Sequence, residues 1–193
     1  GGLLTYGIPP FKLEKDVVMR RNDQLEQGGV TFVLNCAVGK DMSFADIRAK
    51  HDAVIIATGV YKSRDLELPG HDARGIERAL DFLTASNRKS FGDEVPEFDR
   101  GRLNASGKRV VVIGGGDTGS DCTGTSNRQG CKGVTQFEIM PQPPDLGPYP
   151  RAHERPGHTP WPHWPMMLRT STSHEEGADR HWSILTKEFR GDE

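Results

Sequence analysis

Two stretches of the chain carry apolar residues at the spacing of a helix. The first, 13–27, is followed by Gly28 and Gly29, which end a helix in the manner of a C-cap. The second is 75–87, whose apolar positions form one stripe, as in an amphipathic helix. That stripe consists of Ile76, Ala79, Leu80 and Leu83. Both stretches are therefore predicted to be helices.

Runs of β-branched and apolar residues predict strands near the first of these helices. The run 30–36 follows the glycine stop at once, and it is rich in β-branched and aromatic residues. The run 52–59 is apolar almost throughout, as a strand buried on both faces is. A helix followed by two strands is typical of the last third of a nucleotide-binding α/β domain.

The second half of the chain shows one complete strand-helix-strand pattern. Residues 108–113 form a short apolar run, 117–128 is polar and rich in small residues, and 133–140 is a second apolar run. This order predicts two parallel strands joined by a helix. A further strand is predicted at 181–189. The fold class is therefore α/β, with a Rossmann-like parallel sheet.

The turn between the first strand and the helix of this unit carries the spacing G-x-G-x-x-G. Gly114, Gly116 and Gly119 supply that spacing, with Gly115 between the first two. The first glycine permits a tight turn, the second lets backbone amides approach a pyrophosphate, and the third lets helix and strand pack closely. The helix N-terminus adds unpaired N–H groups and about half a positive charge. We therefore predict a dinucleotide site at this turn.

Residues outside the glycines bear on which dinucleotide binds. Glu138 lies 138 − 119 = 19 residues beyond the last glycine, near the place of a carboxylate that binds the ribose 2′-hydroxyl of NADH. The alternative is that Glu138 is a solvated strand residue. Arg128 and Lys132 are the nearest cations for the 2′-phosphate of NADPH, so both nucleotides stay open. Asp117 and Thr118 occupy the first helical turn, and we expect them to hold the turn or to bind the ribose or nicotinamide end.

Charge and composition exclude several classes of partner. The 193 residues include 25 basic and 27 acidic side chains, which gives a net charge of −2 and no general attraction to nucleic acid or anionic membranes. The longest apolar runs fall far below the roughly 18 residues of a membrane span. Three cysteines without a C-x-x-C pair, Cys36, Cys122 and Cys131, indicate small buried side chains in a reducing compartment. We expect a cytoplasmic protein.

Catalytic and metal-binding side chains are not indicated by the sequence. The histidines of "HERPGH" are five residues apart, and the Pro-Gly pair between them prevents a helix from aligning them on zinc. The proline-rich stretch 141–165 is predicted to be a loop. No metal site and no catalytic acid or base are predicted.

Several segments together closely resemble the small (beta) subunit of glutamate synthase. These are "GGLLTYGIPPFKLEK", "HDAVIIATG", "RDLELPG", "VVVIGGGDTGSDCTGTSNRQG", "FEIMPQPP", "PWPHWP" and "HEEGADRHWSILTKEFRGDE". The resemblance implies an oxidoreductase that takes a hydride from NADPH, or NADH in some members, onto FAD. It also implies that electrons pass through iron-sulfur clusters to the large (alpha) subunit, where glutamine and 2-oxoglutarate yield glutamate.

The resemblance also assigns roles to individual residues. The NAD(P)H site would comprise Gly114, Gly116, Asp117, Thr118, Gly119 and Arg128. The flavin would lie against Gly1, Gly2 and Leu3, and a strand of the FAD domain would close at Thr58 and Gly59.

The chain departs from the family pattern in what it lacks. The first glycine fingerprint, the last FAD-binding strand and the cysteine sets for iron-sulfur clusters are absent. We expect 1–68 to be a partial FAD-binding domain and 69–193 to be an NAD(P)H-binding domain, both cut from a longer protein and inactive alone. The iron-sulfur clusters would lie outside this chain. The alternative is a non-catalytic NAD(P)-binding or subunit-docking module.

Overall fold

The chain divides into two compact units in a computed structural model, which describes residues 2–59, 65–144, 168 and 170–191. The larger unit comprises Gly1–Lys15 and Leu66–Glu193, and the smaller unit comprises Asp16–Asp65. The end of the smaller unit lies close to the domain boundary expected at 68. The assignment of 1–68 to an FAD domain and of 69–193 to an NAD(P)H domain stays a prediction.

The larger unit is built on a parallel sheet, which has three strands within the described residues. They are β1 (Arg109–Ile113), β2 (Gly133–Phe137) and β3 (Asp179–His181), side by side in the order β1-β2-β3. β1 continues through helix α6 (Asp117–Arg128) into β2, and this confirms the predicted βαβ unit. The Rossmann-like α/β fold class is confirmed with it.

Helix α6 packs against β1 and β2, and α4 (Ala79–Ser90) packs against α6. Of the other helices of the larger unit, α1 (Leu3–Tyr6) and α5 (Pro96–Asp99) contact α4, and α7 (Thr172–Glu175) contacts α6. The core consists of Leu83 on α4, Cys122 on α6, Val112 on β1 and Val134 on β2. Alternation along β1 places Val112 in this core and leaves Val111 exposed on the opposite face.

Asn87 fixes the N-terminal segment to helix α4. Its buried side-chain amide donates to the carbonyl oxygens of Tyr6 at 2.9 Å and Gly7 at 3.3 Å, and to that of Leu83 at 3.0 Å. A buried amide is stabilised only where it finds such partners. The first fifteen residues therefore belong to the larger unit although they lie far from it in sequence.

The smaller unit contains two helices. Helix α2 (Lys15–Gln27) confirms the helix predicted at 13–27. Helix α3 (Phe44–Lys50) was not predicted, although Ser43 marks its start, because the Ser43 hydroxyl accepts from the Asp46 amide at 3.0 Å. Within the described residues of the whole chain, no helix is long and apolar enough to cross a membrane.

Two strands predicted for the smaller unit are wrong. The segments 30–36 and 52–59 belong to no strand in the structure, and their apolar side chains are exposed, up to 90% at Ile55. A strand is defined by hydrogen bonds to a neighbouring strand, and neither segment has a ladder with another described residue.

The strands predicted at 133–140 and 181–189 are too long. β2 ends at Phe137, and β3 includes only His181 of the second range. Ser183 takes a left-handed backbone conformation with φ of 58°, which interrupts the extended chain after β3. The proline-rich stretch 141–165 falls outside the described residues beyond Pro144.

Candidate functional site

The glycine turn joins the carboxyl end of β1 to the amino end of α6. Gly114 has φ of 126°, a conformation that residues with a Cβ rarely adopt, and its amide donates to the carbonyl oxygen of Phe137 at 2.8 Å. Gly116 is the N-cap of α6, and no side chain caps the amides of the first helical turn. Backbone N–H groups at this helix end are therefore available to an anion.

A side chain at each of the other three glycines of the turn would meet different surroundings. A Cβ at Gly119 would overlap the carbonyl oxygen of Gly114, as expected for close packing of helix and strand. A Cβ at Gly115 would overlap the Glu138 carboxylate and lie 2.9 Å from its Cδ. A Cβ at Gly116 would meet no protein atom within 4 Å. The protein itself therefore does not require a glycine at 116, whereas close approach of a ligand would.

Glu138 follows β2 directly, and its side chain lies against the turn. One carboxylate oxygen accepts from the Met140 amide at 3.2 Å, and the other lies beside Gly115. Burial lowers the pKa of Arg180 on β3, and the nearby negative charge of Glu138 partly offsets that effect. The structure therefore brings Glu138 to the glycine turn, where the ribose prediction requires it.

Two exposed polar residues begin α6, and a half-buried carboxylate follows one turn later. Asp117 and Thr118 are exposed beside Gly116, as contact with a ligand would require. Burial raises the pKa of Asp121 one turn later, Lys12 and Lys15 act in the opposite direction, and Asp117 adds to the rise. Asp121 thus lies near two cations of the N-terminal segment, Lys12 and Lys15.

Arg128 lies at the other end of α6. A rise of 1.5 Å per residue over eleven residues separates Asp117 from Arg128 by about 16 Å along the helix. The Arg128 guanidinium pairs with Glu176 and lies 3.7 Å from the ring centroid of Phe11. Lys132 precedes β2, and its amide donates to the Lys108 carbonyl at 2.7 Å. The structure does not bring these two cations to the turn, and their predicted role in binding NADPH has no support from their positions.

The residues predicted to lie at the flavin fall in different units. Gly2 and Leu3 belong to the larger unit, where the Leu3 side chain is exposed. Thr58 and Gly59 belong to the smaller unit, where both are exposed and Gly59 has φ of 70°. Gly1 lies outside the described residues. Their role at FAD stays a prediction.

Sequence reasoning missed a buried polar group behind the turn. Gln136 on β2 is only 2% exposed, and its side-chain amide bonds the Gly114 carbonyl oxygen at 2.8 Å and the His174 ring at 2.9 Å. Burial, followed by the charges of Arg180 and Lys12, lowers the pKa of His174 to about 4. The available signal was a glutamine at an inward position of a central strand, where an apolar residue is typical.

The cysteines take no part in this site. All three are free, and burial raises the pKa of Cys122 to about 12, which keeps its thiol protonated. Cys122 confirms the expectation of a small buried side chain, whereas Cys36 and Cys131 are only partly buried.

Comparison with known families settles the class of this chain. The pyridine nucleotide-disulphide oxidoreductase family matches residues 23–152. The chain belongs to this family. The match includes β1, the glycine turn, α6 and β2, and it extends into the smaller unit.

Curated relatives confirm the resemblance to the glutamate synthase small subunit. A putative glutamate synthase (NADPH) small chain of Cereibacter sphaeroides is 68% identical over 134 residues, which are 69% of this chain and 32% of that protein. The glutamate synthase (NADPH) small chain of Mycobacterium tuberculosis is 47% identical over 192 residues, 99% of this chain and 38% of that protein. The chain thus spans about a third of the length of these relatives.

Solved structures show the same fold. FprA of Mycobacterium tuberculosis, solved in complex with NADPH, matches with a TM-score of 0.54 at 24% identity, over 72% of this chain and 34% of that one.

The glutamate synthase (NADH) of Saccharomyces cerevisiae is a further sequence relative, 42% identical over 199 residues, which are 100% of this chain and 9% of that protein.

Proposed function

We propose that this chain is the NADPH-binding part of a glutamate synthase small subunit, a flavoprotein oxidoreductase. It would take hydride from NADPH onto FAD and supply electrons for glutamate synthesis from glutamine and 2-oxoglutarate. The observation that carries the proposal is the glycine turn, which leaves the N-terminus of α6 without a side-chain cap and leaves open space at Gly116. The relatives are glutamate synthase (NADPH) small chains, which supports glutamate synthesis as the reaction and NADPH as the donor.

The residues of the turn fit a dinucleotide. Gly114 makes the turn, Gly116 leaves space beside the first amides of α6, and Gly119 permits helix and strand to pack. The nucleotide supplies the hydride when bound, so that the protein's part is to hold and orient it. Asp117 and Thr118 are placed to contact the ribose or nicotinamide end.

Two observations bear on the choice between NADPH and NADH. The small-chain relatives are named for NADPH, and the yeast relative is named for NADH. The Glu138 carboxylate lies beside Gly115. We propose NADPH as the donor, and Arg128 is not included. Because NADPH has a phosphate in place of the ribose 2′-hydroxyl, Glu138 is proposed as a ribose contact for NADH only.

The other parts of the proposal concern the longer protein. FAD would lie against Gly1, Gly2 and Leu3, with Thr58 and Gly59 at the end of the FAD domain. The iron-sulfur clusters would be held outside this chain, and the partner would be the large (alpha) subunit, since the relatives are named small chains. The cytoplasm is the proposed location.

Calorimetric titration of the purified protein with NADPH and NADH tests nucleotide binding. Gly116→Val fills the open space, and we expect it to weaken NADPH binding at least about tenfold, which is about 1.4 kcal/mol. Gly133→Val is the matched control, because a Cβ at Gly133 also meets no protein atom within 4 Å but lies at the far end of β2. Wild-type protein that binds neither nucleotide at about 1 mM contradicts the proposal.

A second candidate is a non-catalytic NAD(P)-binding or subunit-docking module. The exposed apolar side chains of 30–36 and 52–59 favour it, because such surfaces mark contacts with other proteins or domains. The absorbance spectrum of the purified protein separates the two functions. A flavin spectrum that NADPH bleaches supports the oxidoreductase, whereas NADPH binding without flavin supports the module.

A further inference from the structure

A buried glutamine, Gln136, contacts the glycine turn, and a half-buried histidine, His174, contacts that glutamine. We propose that Gln136 and His174 are positioning residues, which fix the peptide between Gly114 and Gly115 so that its N–H faces a bound pyrophosphate. The inference rests on the proposed function, because it assigns these side chains to nucleotide binding. Gln136 is only 2% exposed, and both residues would act through the backbone of the turn.

The peptide after Gly114 is oriented by its carbonyl group. Gln136 Nε2 donates to the Gly114 oxygen at 2.8 Å, while the Gly114 amide donates to the neighbouring strand residue, Phe137. In a trans peptide the C=O and the following N–H point in opposite directions. Holding the Gly114 oxygen toward the Gln136 side-chain amide therefore directs the Gly115 N–H away from that amide.

Donor and acceptor roles assign one tautomer to His174. Because a carbonyl oxygen only accepts, the Gln136 side chain must present its NH₂ to Gly114 and its oxygen to His174. His174 Nε2 therefore carries the proton and donates to Gln136 Oε1 at 2.9 Å. His174 Nδ1 is then the acceptor, and the Ser171 amide donates to it at 3.1 Å.

The hydrogen bonds continue from His174 through two hydroxyl groups to a cation. The Ser171 hydroxyl lies 3.1 Å from His174 Nδ1 and 2.6 Å from the hydroxyl of Ser120, and Lys12 donates to Ser120 at 3.5 Å. Each group can donate to the next, from Lys12 to the Gly114 oxygen. The N-terminal segment, α6, α7 and β2 are thereby connected to one backbone carbonyl at the turn.

Packing leaves the glutamine little freedom. A Cβ at Gly119 would lie 2.7 Å from Gln136 Nε2, so the third glycine of the motif also makes room for this amide. A buried amide that lost its partners would destabilise the folded state. The Gly114 carbonyl is therefore held in one orientation before any ligand arrives.

The test compares two ligands in two glutamine variants. Gln136→Leu removes both hydrogen bonds at similar size, and we expect NADPH to bind about tenfold more weakly while adenosine 2′-monophosphate, which has no pyrophosphate, changes less than about twofold. Gln129→Leu is the matched control, because Gln129 also makes two hydrogen bonds, to the Ala105 amide and the Ser86 hydroxyl, but at the other end of α6. Equal loss of both ligands, or no loss of NADPH binding, overturns the proposal.

Two histidine variants decide the question if Gln136→Leu does not fold. His174→Gln retains an N–H donor for Gln136, and we expect NADPH affinity within about threefold of wild type. His174→Phe has no donor, and we expect about a tenfold loss. Equal affinities in these two variants overturn the positioning role. Wild-type protein that does not bind NADPH overturns the proposed function first and this role with it, so the two failures are distinguishable.

Discussion

β1 of the larger unit and the segment 52–59 of the smaller unit have similar sequences but different structures. Both are short runs of β-branched residues, "RVVVI" and "DAVIIATG". β1 pairs in parallel with β2 and buries Val112, whereas 52–59 has no ladder with a described residue and leaves Ile55 90% exposed. A run of this composition becomes a strand only where a neighbouring strand and a covering helix exist.

The same difference decides where a binding site can form. The turn after β1 has its shape because β2 supplies the Phe137 carbonyl and the Gln136 side chain. Thr58 and Gly59 also follow an apolar run, and Gly59 also has positive φ, but no ladder with a described residue fixes that run. A glycine turn therefore gains a defined geometry from the strand beside it.

Hydrogen exchange should show the largest contrast between the two regions. Amides of β1 and β2 that lie in the ladder open only with the larger unit, whereas those of 52–57 have no ladder to open. We expect ladder amides to exchange at least about a thousandfold more slowly, which corresponds to about 4 kcal/mol of local stability. Mass spectrometry of peptides from the two segments measures it. Comparable protection in both segments would show that 52–59 is paired after all.

Truncating one leucine in each unit should give the next largest difference. Leu83 is 2% exposed in the core of the larger unit, and Leu34 is 77% exposed in the smaller unit. We expect Leu83→Ala to lower the free energy of unfolding by about 3 kcal/mol, and Leu34→Ala to change it by less than about 0.5 kcal/mol. Urea unfolding followed by circular dichroism checks both values. A large loss from Leu34→Ala would contradict the exposure of that segment.

These contrasts also explain which predictions from the sequence succeeded. Helix α6 begins at Asp117 and ends at Arg128 as predicted, because the glycine motif and its flanking strands are local signals. The ends of β2 and β3 were wrong, because strand length depends on pairing between segments far apart in the chain. Pairing of that kind leaves no signal in either segment alone.

The candidate site divides in the same way. The glycines and Glu138 are found together at the turn, as their spacing predicts, because they lie on one strand-turn-helix-strand unit. Arg128 was included on the family resemblance, and it lies about three helical turns from Asp117, at the other end of α6. His174 comes from a separate segment, and only the tertiary fold brings it to Gln136.

Adding one methyl group to a glycine in each unit should give a smaller contrast. Gly119→Ala would overlap the Gly114 carbonyl oxygen, whereas Gly28→Ala meets its nearest atoms at 3.3 Å and 3.4 Å. We expect Gly119→Ala to lower the free energy of unfolding by about 2 kcal/mol and Gly28→Ala to change it by less than about 1 kcal/mol. Thermal unfolding of the two variants is the measurement. If Gly119→Ala is neutral, helix and strand are less closely packed than the structure indicates.

The pH dependence of stability should give the smallest effect, which comes from His174, a half-buried histidine of the larger unit. Burial and nearby cations lower the pKa of His174 from 6.5 to about 4 in the folded protein, so the folded state favours the neutral ring. The contribution of His174 to the free energy of unfolding is therefore fully present above about pH 6.5. It is lost as the pH falls from 6.5 toward 4, because in this range the unfolded chain binds the proton and the folded protein does not. His174→Gln should have a flatter stability curve than wild type over that window. Urea midpoints measured at half-unit intervals give both curves, and the difference between them removes the carboxylates common to the two proteins. Parallel curves for His174→Gln and wild type would mean that the ring gains its proton in the folded state near its ordinary pKa, and the Nδ1 acceptor role toward Ser171 would then be wrong.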